Sequence, residues 1–357
     1  MKFYKKTSYT QDFRLFKDAN MAFWYALLLL FLVTAPFYVP TYYLAQMVLI
    51  GIYVVACAGL MLLSGYCGQI SLGHAAFFLV GAYATTVLER AGVPFVLSFA
   101  AAGLISAGVG IVIGFPALRL SGLYLAIATL AASFIVNEII VRWESVTAGS
   151  SGISVPKITI AGWSANTEPK LYFVVLAVAL GVMLVARNII RAPLGLAMMA
   201  IRDSETAAQS MGVPLMRVKL TAFTLSALFT GLGGALYAHK IQFIDPDQFN
   251  ILVSIEFLVV IFLGGIGSLH GVVLGSMFII VVPQLVSTLK DLLPPAVTQQ
   301  SGLQAGIYGA LLLLFILFEP DGFYGIWRKI KHYFSMFPYY KKGSLRRTKS
   351  FAKSETW

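Results

Sequence analysis

The sequence predicts an all-α polytopic membrane protein of about ten transmembrane helices, with interrupted helices and a possible internal repeat. Three observations predict it. Hydrophobic residues make up 59% of the 357 positions and charged residues 11%, where a soluble domain carries roughly 25% charged residues. Repeated apolar stretches of roughly 17 to 23 residues suffice, at ~1.5 Å per residue, to cross a hydrocarbon core of roughly 30 Å. No succession of short segments alternates in polarity, as the strands of a membrane β-barrel would.

The chain opens with a basic segment, 1–20, containing Lys2, Lys5, Lys6, Arg14 and Lys17. The first apolar run, Met21 to Val39, lacks a small-residue cleavage pattern after it and reads as a retained helix. The membrane domain, 21–320, contains apolar spans at 21–40, 42–64, 68–88, 94–118, 121–141, 169–187, 219–238, 251–263, 271–289 and 303–318. From a cytoplasmic N-terminus, an even number of spans returns the C-terminus to the cytoplasm. Of the 26 Lys and Arg residues, Arg90, Arg142, Lys157, Lys170, Lys240 and Lys290 then fall outside, leaving 20 inside. That is the positive-inside bias of membrane proteins. It accounts for the net charge of +11 without a nucleic-acid partner. Cys57 and Cys67 lie in or beside apolar spans without metal or redox spacing, and read as buried small hydrophobes.

Two glycine-rich segments interrupt the apolar runs: Gly65 to Ala75 (GYCGQISLGHA) and Leu263 to Gly271 (LGGIGSLHG). Paired interruptions of this kind point to internal repeats with a substrate route between them. Broken helices persist in a bilayer where protein or a water-lined cavity satisfies their backbone. Gln69, Ser71 and His74 bring hydrogen-bonding side chains beside Gly73, and Gly265 and Ser268 do so in the second segment. These six residues are the candidate pathway for a polar or zwitterionic solute, tight helix packing being the alternative reading. The spacings Gly110–Gly114, Gly271–Gly275 and Gly302–Gly306 indicate closely packed helices. Apart from Lys170, Arg187 and Lys219 at span ends, His74, Glu138 and Glu256 are the ionisable residues within the spans, too few for a proton relay.

The polar segment Arg142 to Lys170 reads as an external loop. The stretch 188–218 is cytoplasmic and contains AIRDSETAAQSMGV, Ala200 to Val213. Asp203 or Ser204 can cap a short helix here. Ala207, Ala208 and Gly212 give it small residues before Val213-Pro214 disrupts it. Such a helix can dock in a groove of another protein. The tail, 321–357, is basic and aromatic, and Trp327 to Phe334 can lie as an amphipathic helix on anionic lipid, with a disordered Lys341 to Lys353 region beyond.

The segments GYCGQISLGHAAFFLVGAYAT, RLSGLYLAIATLA, WESVTAGSSGI, AIRDSETAAQSMGV and FLGGIGSLHGVVLG stand in this order over positions 65 to 275. Together they resemble the permease family of branched-chain amino-acid ABC importers. The resemblance implies a bacterial inner-membrane importer of leucine, isoleucine and valine, and the span count with the positive-inside bias puts the N- and C-termini of this chain in the cytoplasm. It implies a second homologous permease subunit forming a heterodimer, two cytoplasmic ABC ATPase subunits using ATP and magnesium, an extracytoplasmic solute-binding protein, and no cofactor in this chain. It also implies that Arg202, Asp203, Glu205, Ala207, Ala208 and Gly212 form the ATPase-coupling segment, although Thr206 stands where the family motif has Glu. Many relatives carry an acidic residue about where Phe134 stands, and Glu138 lies one turn later. Urea and short-chain amide permeases share much of the first motif and remain an alternative.

No GxxxxGK[ST] phosphate loop is present, so ATP hydrolysis would fall to separate subunits. His74, His239, His270 and His332 form no HExxH or other metal spacing and no GxSxG elbow occurs, which argues against an enzyme. A stand-alone secondary transporter is the other class considered.

Overall fold

The computed structural model describes residues 19–120, 122–160, 163–164, 167–290, 303–319 and 321–336. The basic segment before residue 19 and the tail beyond residue 336, including Lys341 to Lys353, lie outside the described residues. The described residues form fourteen helices. The first five are α1 (Ala19–Tyr38), α2 (Thr41–Leu60), α3 (His74–Arg90), α4 (Phe95–Ala117) and α5 (Leu123–Arg142). The polar segment holds α6 (Glu144–Thr147) and the strands β1 (Ile153–Ser154), β2 (Thr159–Ile160) and β3 (Trp163–Ser164). There follow α7 (Glu168–Arg191), α8 (Pro193–Asp203), α9 (Glu205–Ser210), α10 (Leu215–Ile241) and β4 (Phe243–Ile244). The chain closes with α11 (Ile251–Gly264), α12 (Leu269–Lys290), α13 (Leu303–Phe318) and α14 (Gly322–Met336).

Each predicted apolar stretch coincides with one of these helices. Six are long and apolar enough to cross a bilayer: Thr41–Tyr66, Phe95–Ala117, Leu123–Arg142, Glu168–Arg191, Leu215–Ile241 and Leu269–Thr288. The apolar parts of α1, α11 and α13 are shorter, at Ala22–Tyr38, Ile251–Gly264 and Gly306–Phe315. The third helix starts at His74 and not at Gly68 as expected. The last turn of α2 widens into a π-helix, Met61–Tyr66, and the chain from Cys67 to Gly73 leaves helical geometry. Both glycine-rich segments are therefore connections between consecutive helices.

The bundle is organised around α10, which packs along α2, α3 and α4. Lipid tails are as apolar as Leu, so helices in a membrane associate through close packing, for which small residues are needed. On α10, Gly231 lies against Ser106 of α4, and Gly233 lies so near Ala56 of α2 that an added Cβ would come within 2.9 Å of its Cβ. Gly110 and Gly114 bring α4 onto Ala227 and Phe223 of α10, while Gly271 and Gly275 of α12 meet Gly264 and Val260 of α11. Two of the three GxxxG spacings thus mark helix contacts. Of the third, Gly302 lies outside the described residues and Gly306 faces open space. The core includes Phe77 and Tyr83 of α3, Phe223 of α10 and Phe257 of α11. At the periphery, α5 buries only Leu125, Ala126 and Thr129.

Contacts between distant segments sort to two ends. At one, β1 pairs antiparallel with β4, Ile153 opposite Ile244, Glu89 meets His239 at 3.0 Å, and Lys240 meets Glu168 at 2.6 Å. At the other end, the connection after α2, the α8–α9 segment, the connection after α11 and the start of α14 come together.

Candidate functional site

The second end is held by Arg202 in the last turn of α8. Its Nη1 donates to the Gly65 carbonyl at 3.0 Å, and its Nε and Nη2 donate to Asp203 Oδ1 at 3.3 Å. A Cβ on Gly68 would lie 2.9 Å from Arg202 Cγ, and one on Gly267 would lie 3.1 Å from Nη1. The Gly267 amide in turn approaches Met61 Sδ at 3.3 Å. The side chain thus occupies the seam between the two glycine-rich connections. Only residues without side chains let both backbones reach it.

The helix α9 follows directly. Ser204, and not Asp203, is its cap: Ser204 Oγ accepts from the Ala207 amide at 3.2 Å, satisfying one of the free N–H groups of the first turn. Its end is closed by two backbone bonds, Val213 N to Ala208 O at 3.0 Å and Gly212 N to Gln209 O at 2.9 Å. Gly212 has φ +82, the left-handed residue that this closure requires. Glu205 accepts a 2.7 Å bond from Lys219, whose side chain is 6% exposed, and a 3.3 Å bond from Gln69 Nε2. Glu205 therefore fastens α9 to α10 and to the connection after α2. Beside these charges, burial pushes the Cys67 thiol up to about 12, Glu205 adding to the rise and Lys219 opposing it.

The small residues of α9 do not share one face. Ala208 is buried against the bundle, while Ala207, Gln209, Ser210 and Met211 are exposed. Gly212 serves the backbone turn and has open space where a Cβ would stand. The outward tip is Thr206, Ala207, Gln209, Ser210 and Met211, the last 84% exposed.

The pathway candidates fall in two places. Ser71 and His74 are fully buried and Gln69 nearly so. His74 Nε2 shares a 2.6 Å hydrogen bond with Ser226 Oγ of α10, and the Ala75 amide donates to Ser254 Oγ of α11 at 2.8 Å. Gly73 is pressed on α5, where an added Cβ would lie 2.5 Å from the Thr129 carbonyl. The Leu72 amide donates to Thr129 Oγ1 at 3.0 Å. His74 Nδ1 is buried and has no hydrogen-bond partner among the described residues. Gly265 and Ser268 lie in the other connection, where Ser268 Oγ accepts from the Gly271 amide at 3.0 Å in the first turn of α12. The structure thus joins the two connections through Gly65, Gly267 and Arg202, and leaves His74 separate, packed among α5, α10 and α11.

Sequence reasoning missed Thr129, Ser226 and Ser254, hydroxyls inside apolar runs whose only signal was their polarity. It also missed the Glu89–His239 pair, in which both side chains are at most 6% exposed. A shallow open depression on the outer face of α5 is lined by Ile135, Glu138, Ile139, Arg142 and Trp143. Cys57 and Cys67 are buried free thiols, as expected. Among the described residues, no three His, Cys, Asp or Glu side chains gather as a metal site would require.

A helical bundle with membrane-crossing helices, carrying at one end a short exposed helix braced on its inter-helix connections, defines a polytopic membrane transport subunit. Residues 42–317 match the model of the branched-chain amino acid transport system permease component, and the chain belongs to that family. It is 32% identical over 296 residues to the high-affinity branched-chain amino acid transport system permease protein LivM of Salmonella typhimurium, covering 76% of this chain and 67% of the relative. The LivM protein of Escherichia coli is equally similar, 32% over the same length and shares. A probable branched-chain amino acid transport permease LivM of Methanocaldococcus jannaschii is 26% identical over 312 residues, 76% of this chain and 90% of the relative. No solved structure matches.

Proposed function

We propose that this chain is one permease subunit of an ATP-binding-cassette importer that carries leucine, isoleucine and valine across the bacterial inner membrane by alternating access. It pairs with a second, homologous permease. Two cytoplasmic ATPases use ATP and magnesium on its behalf, and an extracytoplasmic binding protein delivers the amino acid. In this reading ten spans cross the bilayer, both termini are cytoplasmic, and the end holding α8 and α9 faces the ATPases.

The observation that carries the reading is the construction of α9. Its outer side is exposed and small, while its inner side is tied through Glu205 to Lys219 and Gln69, and Arg202 ties the preceding turn to both connections. A push on Ala207 or Met211 is thereby transmitted to α2, α3, α10 and α12. A helix anchored this way couples a partner's closure to rearrangement of the bundle, which requires two arrangements of packed elements and not a flexible loop.

The substrate route follows α5 from the depression at Glu138 to the connection holding Gln69, Ser71, Gly73 and His74, with Gly265 and Ser268 acting at the neighbouring connection. Glu138 is paired with Arg142 on this exposed face, and an ion pair on an apolar membrane helix is costly against lipid, so the second permease covers this face of α5. Cysteine cross-linking from Ala207 to a co-expressed ATPase tests the coupling assignment directly. A cross-link that ATP modulates supports it, and absence of any ATPase adduct in an assembled transporter contradicts it.

A further inference from the structure

A carboxylate stands at mid-membrane depth on α11. Glu256 Oε2 accepts a 2.8 Å hydrogen bond from Tyr53 Oη of α2, and Tyr53 lies halfway along the membrane-crossing helix Thr41–Tyr66. Glu256 is half-buried. Glu89, Glu168 and Glu205 each have a basic partner, whereas among the described residues no Lys, Arg or His forms an ion pair with Glu256. A carboxylate at this depth is costly to keep and marks a functional position. One hydroxyl leaves most of its capacity to accept hydrogen bonds unused.

Its surroundings are aromatic. The Tyr53 ring packs edge-on against Phe257, centroids 5.4 Å apart. Phe257 meets Phe78 of α3 at 5.2 Å, and Phe78 meets Tyr237 of α10 at 5.1 Å. Such rings attract an organic cation through their faces and pack an aliphatic chain by dispersion. A metal ion would need several oxygen ligands, and among the described residues no three acidic, His or Cys side chains gather. Two residues before Glu256, Ser254 Oγ holds the Ala75 amide in the first turn of α3, so the carboxylate adjoins the broken segment that holds Gln69, Ser71 and His74. Transporter substrates bind near the midplane, where helices are discontinuous.

We propose that Glu256 binds the ammonium group of the transported amino acid, with Tyr53 orienting the carboxylate and the aliphatic side chain of the substrate lying against the aromatic cluster. This assignment deepens the importer reading and rests on it.

Two substitutions separate charge from structure. Glu256→Gln keeps the shape and an acceptor for Tyr53 but removes the charge, while Tyr53→Phe keeps the charge and removes the hydroxyl. In proteoliposomes holding the whole transporter with internal ATP, Glu256→Gln should lower leucine uptake about tenfold or more, as loss of a charge-assisted hydrogen bond does. Tyr53→Phe should lower it less, about threefold, because the carboxylate remains. A purely structural bond between α2 and α11 predicts the reverse order, and that order overturns the proposal. The purified full-length chain in detergent gives a measure independent of transport. Millimolar 3-methylbutylamine, which has the apolar chain of leucine and an ammonium but no carboxylate, should raise its melting temperature. The corresponding acid, 4-methylpentanoate, should not, and Glu256→Gln should abolish the rise. Equal response to both compounds, no response to the amine, or a rise that survives Glu256→Gln would overturn the assignment. Absence of ATP-dependent leucine uptake by the unaltered transporter would instead contradict the importer reading, and the amine result then decides the role of Glu256 by itself.

Discussion

Arg202 Nη1 and the Gly65 carbonyl, 137 positions apart, lie 3.0 Å from each other. This bond joins the segment that bears α9 to the turn between α2 and α3, with Gly267 of the second connection against the same guanidinium. The planar fork of Arg reaches both groups, which a lysine ammonium on its flexible stem does not reproduce. Arg202→Ala and Arg202→Lys should therefore both lower ATP-driven uptake about tenfold, equivalent to a coupling free energy of about 1.4 kcal/mol. ATPase subunits should still co-purify, since the exposed tip is intact. Uptake at the level of the unaltered protein in Arg202→Lys would show that charge alone suffices.

The Glu205–Lys219 pair is asymmetric. Lys219 is 6% exposed at its side chain and Glu205 40%, so Glu205→Ala strands a cation in the protein, whereas Lys219→Met leaves a carboxylate that water can reach. Breaking a buried pair costs roughly 3 kcal/mol or more, and the exposure of Glu205 reduces this to about 2 kcal/mol for Glu205→Ala. Lys219→Met should cost less than half as much. Thermal unfolding of the purified variants in detergent checks the order of the two, and equal destabilisation would show that the Coulomb attraction, not the stranded charge, dominates.

Docking and folding separate at α9. Gly212 holds φ +82, so Gly212→Ala should destabilise by about 1 kcal/mol through the left-handed backbone, with Gly212→Asn milder. A bulky residue there tests the turn and not the partner. Ala207→Trp lies on the exposed side and should leave the melting temperature unchanged while abolishing ATPase co-purification. Retained co-purification would remove α9 from the docking role.

Because burial raises the Cys67 thiol to about 12, its reactive thiolate is scarce at pH 8, about one part in ten thousand. N-ethylmaleimide should label Cys67 in the native protein only slowly from pH 7 to 9, with the rate rising tenfold per pH unit in that range. Labelling should be rapid only on unfolding. Fast modification of the native protein at pH 8 would mean that the connection after α2 opens readily.

Much of this architecture was legible in the sequence because hydropathy and length determine where membrane helices lie, and each predicted apolar stretch coincides with a helix, though the third begins at His74 and not at Gly68. The short helix α9 was legible too, since a capping Ser and a terminal Gly are local signals. The partners were not. Glycine spacing is the same for a helix broken within the membrane and for a tight turn between two helices, so the segment from Gly65 reads either way until Arg202 is seen against it. Small size likewise suits both an exposed docking face and a buried contact, and Ala207 and Ala208 divide between them. Lys219 stands at the edge of an apolar run, and its carboxylate partner Glu205 lies on a different helix, beyond any periodic relation. Glu89 and His239 are 150 positions apart, which no local pattern encodes.

The central claim is tested most directly by uptake of labelled leucine into proteoliposomes containing this chain with its partner permease, ATPases and binding protein, with and without internal ATP. ATP-dependent leucine accumulation that unlabelled valine suppresses, and that Ala207→Trp abolishes, is the predicted result. Leucine uptake by this chain without ATPases, or ATP-dependent uptake of urea in place of leucine, would contradict it.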